Sequence, residues 1–94
     1  MVNDRVGIAI LDKFGEELGE ASTVCCRALI QGPMGHVPGE PNGYNNLDWL
    51  QDEIADVLAG AKLSMEHFLL DRDYIFKRME DKYLSLKGWH DQLA

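Results

Sequence analysis

Five acidic side chains fall into two short groups, Glu16, Glu17 and Glu20 in the stretch EELGE and Glu53 and Asp56 in the stretch EIAD. An α-helix turns about 100° per residue, so side chains three or four positions apart share a face. Glu17 with Glu20, and Glu53 with Asp56, can each converge on one point, and two such helices packed together would gather four carboxylates. Carboxylates crowded into partly dry surroundings must take up protons or bind a cation. All-oxygen ligation suits a hard divalent ion, magnesium with manganese as a substitute, rather than zinc or copper. Magnesium tends to sit between a few carboxylates and the phosphates of a substrate, so phosphate-ester chemistry is the natural inference.

The elements that would carry these groups read as helices. Asn3 or Asp4 can cap a first helix whose apolar positions Val6, Ile10, Phe14, Leu18, Ala21, Cys25 and Leu29 recur at three- and four-residue intervals. Gly15 and Gly19 inside it each cost about 1 kcal/mol relative to alanine, which close helix packing would offset. Gly32 and Pro33 end it, and residues 31–46 form a long loop rich in Gly, Pro and Asn that carries His36 and Tyr44. Loops of this length in small domains are often functional, and this one is expected beside the acidic groups. Asn45 or Asn46 can cap a second helix with Leu47, Leu50, Ile54, Val57, Leu58, Ala61, Met65, Phe68 and Leu69 on its apolar face, extending to about Leu70. Asp71 or Asp73 starts a third, carrying Ile75, Phe76, Met79, Tyr83 and Leu86 until Gly88 interrupts it and leaves residues 89–94 as a tail. The fold class is all-α, a small antiparallel helical bundle in one domain spanning residues 1–94.

Composition narrows the function classes. A formal charge of -7 and the lack of a basic run interleaved with aromatics argue against nucleic-acid binding. The apolar stretch from Val6 to Leu11 is too short to span a bilayer and lacks the flanks of a signal peptide, so the expected location is cytoplasmic, with no membrane partner. The two cysteines, Cys25 and Cys26, are adjacent, which suits neither a disulfide framework nor a tetrahedral metal site; they read as small helix residues.

The order EExxE, matched by Glu16, Glu17 and Glu20, followed by ExxD, matched by Glu53 and Asp56, resembles the signature of the MazG-like all-α nucleoside triphosphate pyrophosphohydrolases. The similarity in helix order runs from about Ile10 to Tyr83. The resemblance implies that Glu17, Glu20, Glu53 and Asp56 bind Mg2+, and that Glu16 orients the site or helps to activate water. It also implies a reaction, the hydrolysis of a nucleoside or deoxynucleoside triphosphate to monophosphate and pyrophosphate, and a homodimer or a tetramer made of two dimers. Lys82 and Tyr83 match a lysine and aromatic frequent on the family's third helix. The chain departs from the family in the long span between Glu20 and Glu53, in Glu80 where asparagine is frequent, and in Ser85 and Leu86 where arginines are frequent.

Lys77, Arg78 and Lys82 are the candidates for phosphate contacts, set against a solvated helix face. Trp49, one turn before Glu53, is either a base-stacking residue or plain core packing. His36, His67 and His90 carry no constellation. Di-iron ligation needs Glu-x-x-His pairs, and neither G-x-S-x-G nor a G-x-x-x-x-G-K loop is present. A subunit of three helices leaves an apolar face open, which a second copy would cover to complete a four-helix core. Two alternatives stand beside the leading one: phosphoribosyl-ATP pyrophosphohydrolase, and a non-enzymatic helical interaction or regulatory protein.

Overall fold

A computed structural model describes residues 4–94; Asn3, the alternative first cap, lies outside the described residues. Three helices follow in order, α1 (Arg5–Gln31), α2 (Asn46–His67) and α3 (Arg72–Leu93). The fold is all-α: among the described residues the only β pairing is an isolated bridge between His36 and Asn45. None of these helices is long and apolar enough to cross a membrane.

Local chemistry sets each boundary. Asp4 caps α1 by accepting from the Val6 amide, and Gly32, at φ 87°, closes it while donating its own amide to the Ala28 carbonyl. Asn45 and Asp48 form a reciprocal capping box at the start of α2, and Asp71 caps α3 through the Tyr74 amide. The second helix stops at His67, short of Leu70. Leu69 adopts a left-handed φ of 50° and the Leu70 amide reaches back to the Met65 carbonyl, the hydrogen bond of a Schellman closure. The third helix, by contrast, runs through Gly88 to Leu93. A single interior glycine costs about 1 kcal/mol, and with no proline or left-handed residue beside it nothing terminates the ladder there.

Helices α1 and α2 pack against each other as an antiparallel hairpin. Their seam runs along Gly7, Ile10, Phe14, Glu17, Ala21, Val24 and Ala28 on one side and Asn46, Leu50, Glu53, Val57, Gly60, Ser64 and His67 on the other, all buried or half-buried. This alternating three- and four-residue spacing is that of two supercoiling helices. It differs from the expected stripe, because Val6, Leu18, Cys25 and Leu29 on α1, Leu47, Ile54 and Leu58 on α2, and Leu69 beyond the end of α2 are exposed. The apolar residues of each helix spread over two adjacent faces, and α2 covers only the one that also carries Glu17. Close approach occurs at other glycines than expected. Gly15 and Gly19 have open space around them, whereas a Cβ on Gly60 would come within 2.7 Å of the Phe14 ring and one on Gly7 within 3.1 Å of the Phe68 ring.

The third helix does not complete a bundle within the chain. It packs on neither α1 nor α2 to any extent, and Ile75 is its single half-buried residue. The radius of gyration is 16.3 Å, against about 13 Å for a compact domain of 100 residues. Buried apolar side chains are correspondingly scarce, Val24 and Val37 being those among the described residues.

Candidate metal centre

Glu17 and Glu53 stand at facing seam positions, where leucine or valine would ordinarily fill the space. One carboxylate oxygen from each of Glu17, Glu20 and Glu53 lies within 4.8 Å of the other two. Glu53 is 6% exposed. Its Oε1 accepts the indole N–H of Trp49 at 3.1 Å, while its Oε2 is buried with no hydrogen-bond partner among the described residues. Glu17 is similar: one oxygen lies 3.5 Å from the Lys13 ammonium and the other, Oε2, is buried without a partner. Two orphaned carboxylate oxygens in one seam are expensive, since an unsatisfied buried charge forfeits its full hydration.

The remaining acidic residues sit at the edge of this pair. Glu20 is exposed and reaches the cluster from the next turn of α1. Asp56, also exposed, lies outside the triad but lines a groove of about 310 Å³ between the helices together with Glu17, Phe14, Gly60 and Leu63. Glu16 points to solvent and pairs with Lys13 at 3.3 Å. Lys13 thus spans Glu16 and Glu17, and its ammonium pKa is held above the ordinary lysine value, chiefly by the hydrogen bond to Glu16. The sequence reading passed over Lys13, although its three- and four-residue spacing from those glutamates is the signal that could have found it.

The loop of residues 32–45 ends on the turns that carry Glu53. Val37 is buried inside it, the Val37 amide donates to the Tyr44 carbonyl at 3.1 Å, and the His36–Asn45 bridge draws its two limbs together. Asn46 is wholly buried at its base. Its side-chain amide donates to the Gly32 carbonyl at 2.8 Å and its side-chain oxygen accepts from Arg27 Nε at 3.1 Å, which ties the end of α1 to the start of α2. Further along, the Tyr44 hydroxyl donates to Asp52 at 2.6 Å, and this bond to a carboxylate pushes the phenol pKa up to about 12. The capping box, the Tyr44–Asp52 bond and the Trp49–Glu53 bond therefore fall on the first two turns of α2. His36 itself is exposed, beside a crevice of about 280 Å³ lined by Met34, Gly43, Tyr44 and Asn45.

The basic candidates lie elsewhere in the chain. Lys77, Arg78 and Lys82 share one exposed face of α3 with Tyr74, Asp81 and Ser85. Lys77 is paired with Asp81 at 2.7 Å, and none of the three forms an ion pair with the acidic cluster. Trp49 is half-buried. Its donated hydrogen bond to Glu53 is a role that neither base stacking nor core packing had suggested.

Compared with known proteins, the chain matches no family model, no curated protein and no solved structure. What the site can do follows from its donors. They are oxygens only, from three carboxylates, two of which, Glu17 and Glu53, also carry a buried oxygen without a hydrogen-bond partner among the described residues, and hard divalent cations accept donors of this kind.

Proposed function

We propose that this chain is a divalent-cation-dependent hydrolase of nucleoside or deoxynucleoside triphosphates, releasing pyrophosphate and a monophosphate. The observation that carries the proposal is that Glu17 and Glu53, which cluster with Glu20, each keep one buried oxygen, Oε2, without a hydrogen-bond partner among the described residues. A helical hairpin that merely needed a core would place apolar residues there, since a buried polar atom left without a partner is costly. The order EExxE then ExxD, similar to MazG-like pyrophosphohydrolases, supplies the choice of substrate.

In this reading Glu17, Glu20 and Glu53 hold Mg2+ or Mn2+, with Asp56 joining from the groove edge. When bound, the ion supplies charge neutralisation for the triphosphate and makes a nearby water a better nucleophile. Glu16, exposed and held by Lys13, is placed to accept a proton at the rim. Loop residues 32–45 fix the turns bearing Glu53, and the α3 face with Lys77, Arg78 and Lys82 is available to anionic ligands in the assembled protein.

That assembly is a homodimer, possible in turn as half of a tetramer. Ile8, Leu11 and Leu18 on α1, with Ile54 and Leu58 on α2, present apolar surface between 44% and 62% exposed on the hairpin, and Gly15 beside them leaves room for a helix to approach. A second copy packing there would bury this surface and complete a four-helix core, with the α3 residues Phe76 and Met79 packed against the partner.

The test is a pyrophosphate-release assay with Mg2+ across canonical triphosphates and phosphoribosyl-ATP. Release from one or more triphosphates, lost in Glu53→Gln and Asp56→Asn with helical circular dichroism intact, is the expected outcome. Preference for phosphoribosyl-ATP would reassign the substrate, and unchanged activity in both variants would remove the mechanism.

A further inference from the structure

Among the described residues the Trp49 indole is the one side chain that holds Glu53 by hydrogen bond, and it does so asymmetrically. Its N–H occupies Oε1 at 3.1 Å, and Oε2 is left buried and free. Residues 49 and 53 are one turn apart on α2, so the bond forms along the face that looks into the seam. A carboxylate engaged in this way is restrained in orientation and has one oxygen free of hydrogen bonds among the described residues.

That asymmetry bears on which ion fits. Calcium takes about 6–8 oxygens at about 2.3–2.6 Å and commonly draws both oxygens of a carboxylate, whereas magnesium needs near-octahedral ligands at about 2.0–2.1 Å. A second oxygen committed to an indole disfavours the two-oxygen mode. We propose that Trp49 is a positioning residue that sets the cation preference of the carboxylate centre: by occupying Glu53 Oε1 it makes Glu53 a one-oxygen ligand, favouring Mg2+ or Mn2+ over Ca2+. The proposal rests on the cation-binding reading of Glu17, Glu20 and Glu53 and adds a residue outside the acidic signature. Partners that orient a metal ligand without touching the ion act in this manner in other proteins, and their loss typically lowers metal affinity by roughly 10- to 100-fold.

The test is cation binding to the full chain without nucleotide, followed by Mn2+ electron paramagnetic resonance with Mg2+ and Ca2+ as competitors. In Trp49→Phe, which keeps a ring and removes the N–H, Mn2+ and Mg2+ should weaken by roughly 10-fold or more while Ca2+ weakens far less, so the Ca2+/Mg2+ preference rises. A packing role alone would weaken all three ions equally, and that result, or unchanged affinities, would overturn the proposal. Should Trp49→Phe fail to fold, Trp89→Phe leaves Trp49 as the only one of the two tryptophans. Its emission should then shift on saturation with Mg2+ and stay still when Glu53→Gln is added; emission insensitive to bound Mg2+ overturns the proposal. A native chain that binds none of the ions removes the cation reading and this inference together, whereas ion binding with an unaltered preference in Trp49→Phe removes this inference alone.

Discussion

The two ends of this molecule are built on opposite principles. Where the loop meets α2, polar groups are buried and nearly all answered: Asn46 by Gly32 and Arg27, Asn45 by Asp48, Tyr44 by Asp52, and one oxygen of Glu53 by Trp49. Along α3 almost nothing is buried, although Tyr74, Phe76, Met79, Tyr83, Leu86 and Trp89 are each half or more exposed. The third helix also carries five of the nine Lys and Arg residues, Arg72, Lys77, Arg78, Lys82 and Lys87, while the hairpin and loop hold most of the acidic ones. The first region is finished within one chain apart from two carboxylate oxygens. The second is exposed along almost its whole length, and a helix of this length is marginal in water on its own.

Four perturbations would break or sharpen this contrast, taken from the largest expected effect downward. Diluting the protein should leave amide exchange at the loop and the start of α2 unchanged while α3 amides exchange about tenfold faster or more, because local opening follows local contact density. The double substitution Phe76→Glu with Met79→Glu should mimic dilution at high concentration. Equal protection of α3 and α2 at every concentration would show α3 to be self-sufficient. Next, Asn46→Ala removes both ties at the loop base and should cost about 1–3 kcal/mol in urea unfolding, the usual loss when buried polar partners are orphaned. A negligible cost would mean that the loop is held by its backbone alone.

The third perturbation inverts the usual direction of a core substitution. Glu53→Gln removes a charge with one unpartnered buried oxygen from the seam, so without divalent cation the variant should be more stable than the parent by about 1–3 kcal/mol, the usual cost of an unsatisfied buried polar group. A loss of stability in chelator would show that the charge is already satisfied. The smallest effect is spectroscopic. Deprotonating Tyr44 would set a phenolate against the Asp52 carboxylate, so their bond persists below and is released above about pH 12, the raised phenol pKa. Phenolate absorbance should include one tyrosine titrating there, and Asp52→Asn should bring that step down.

Much of this organisation was legible in the sequence. Three helices, the Gly32 stop, the Asn45 cap and the Asp71 cap follow from local chemistry that a single chain displays. The convergence of Glu17, Glu20 and Glu53 followed from helical spacing once two helices were paired. Which face was buried did not follow, because α1 and α2 each have two candidate apolar stripes and only the partner helix chooses between them. For that reason Leu18 and Ile54 read as core, when Glu17 and Glu53 themselves occupy the seam. Asn46 and Trp49 were opaque for another reason: their hydrogen bonds join residues whose proximity or rotamer no periodicity encodes. The continuation of α3 through Gly88 shows how weak a single glycine is as a stop without a closing motif.

The central claim is that the carboxylates in the seam are there to hold a divalent cation. Thermal unfolding of the full chain in Mg2+ against chelator tests it most directly, since a ligand specific to the folded state at 100 times its Kd stabilises by about 2.7 kcal/mol. The account predicts a Tm that rises with Mg2+ concentration in the native chain and stays level in Glu53→Gln. Identical Tm values in Mg2+ and chelator, with no heat of binding on calorimetric titration, would contradict it.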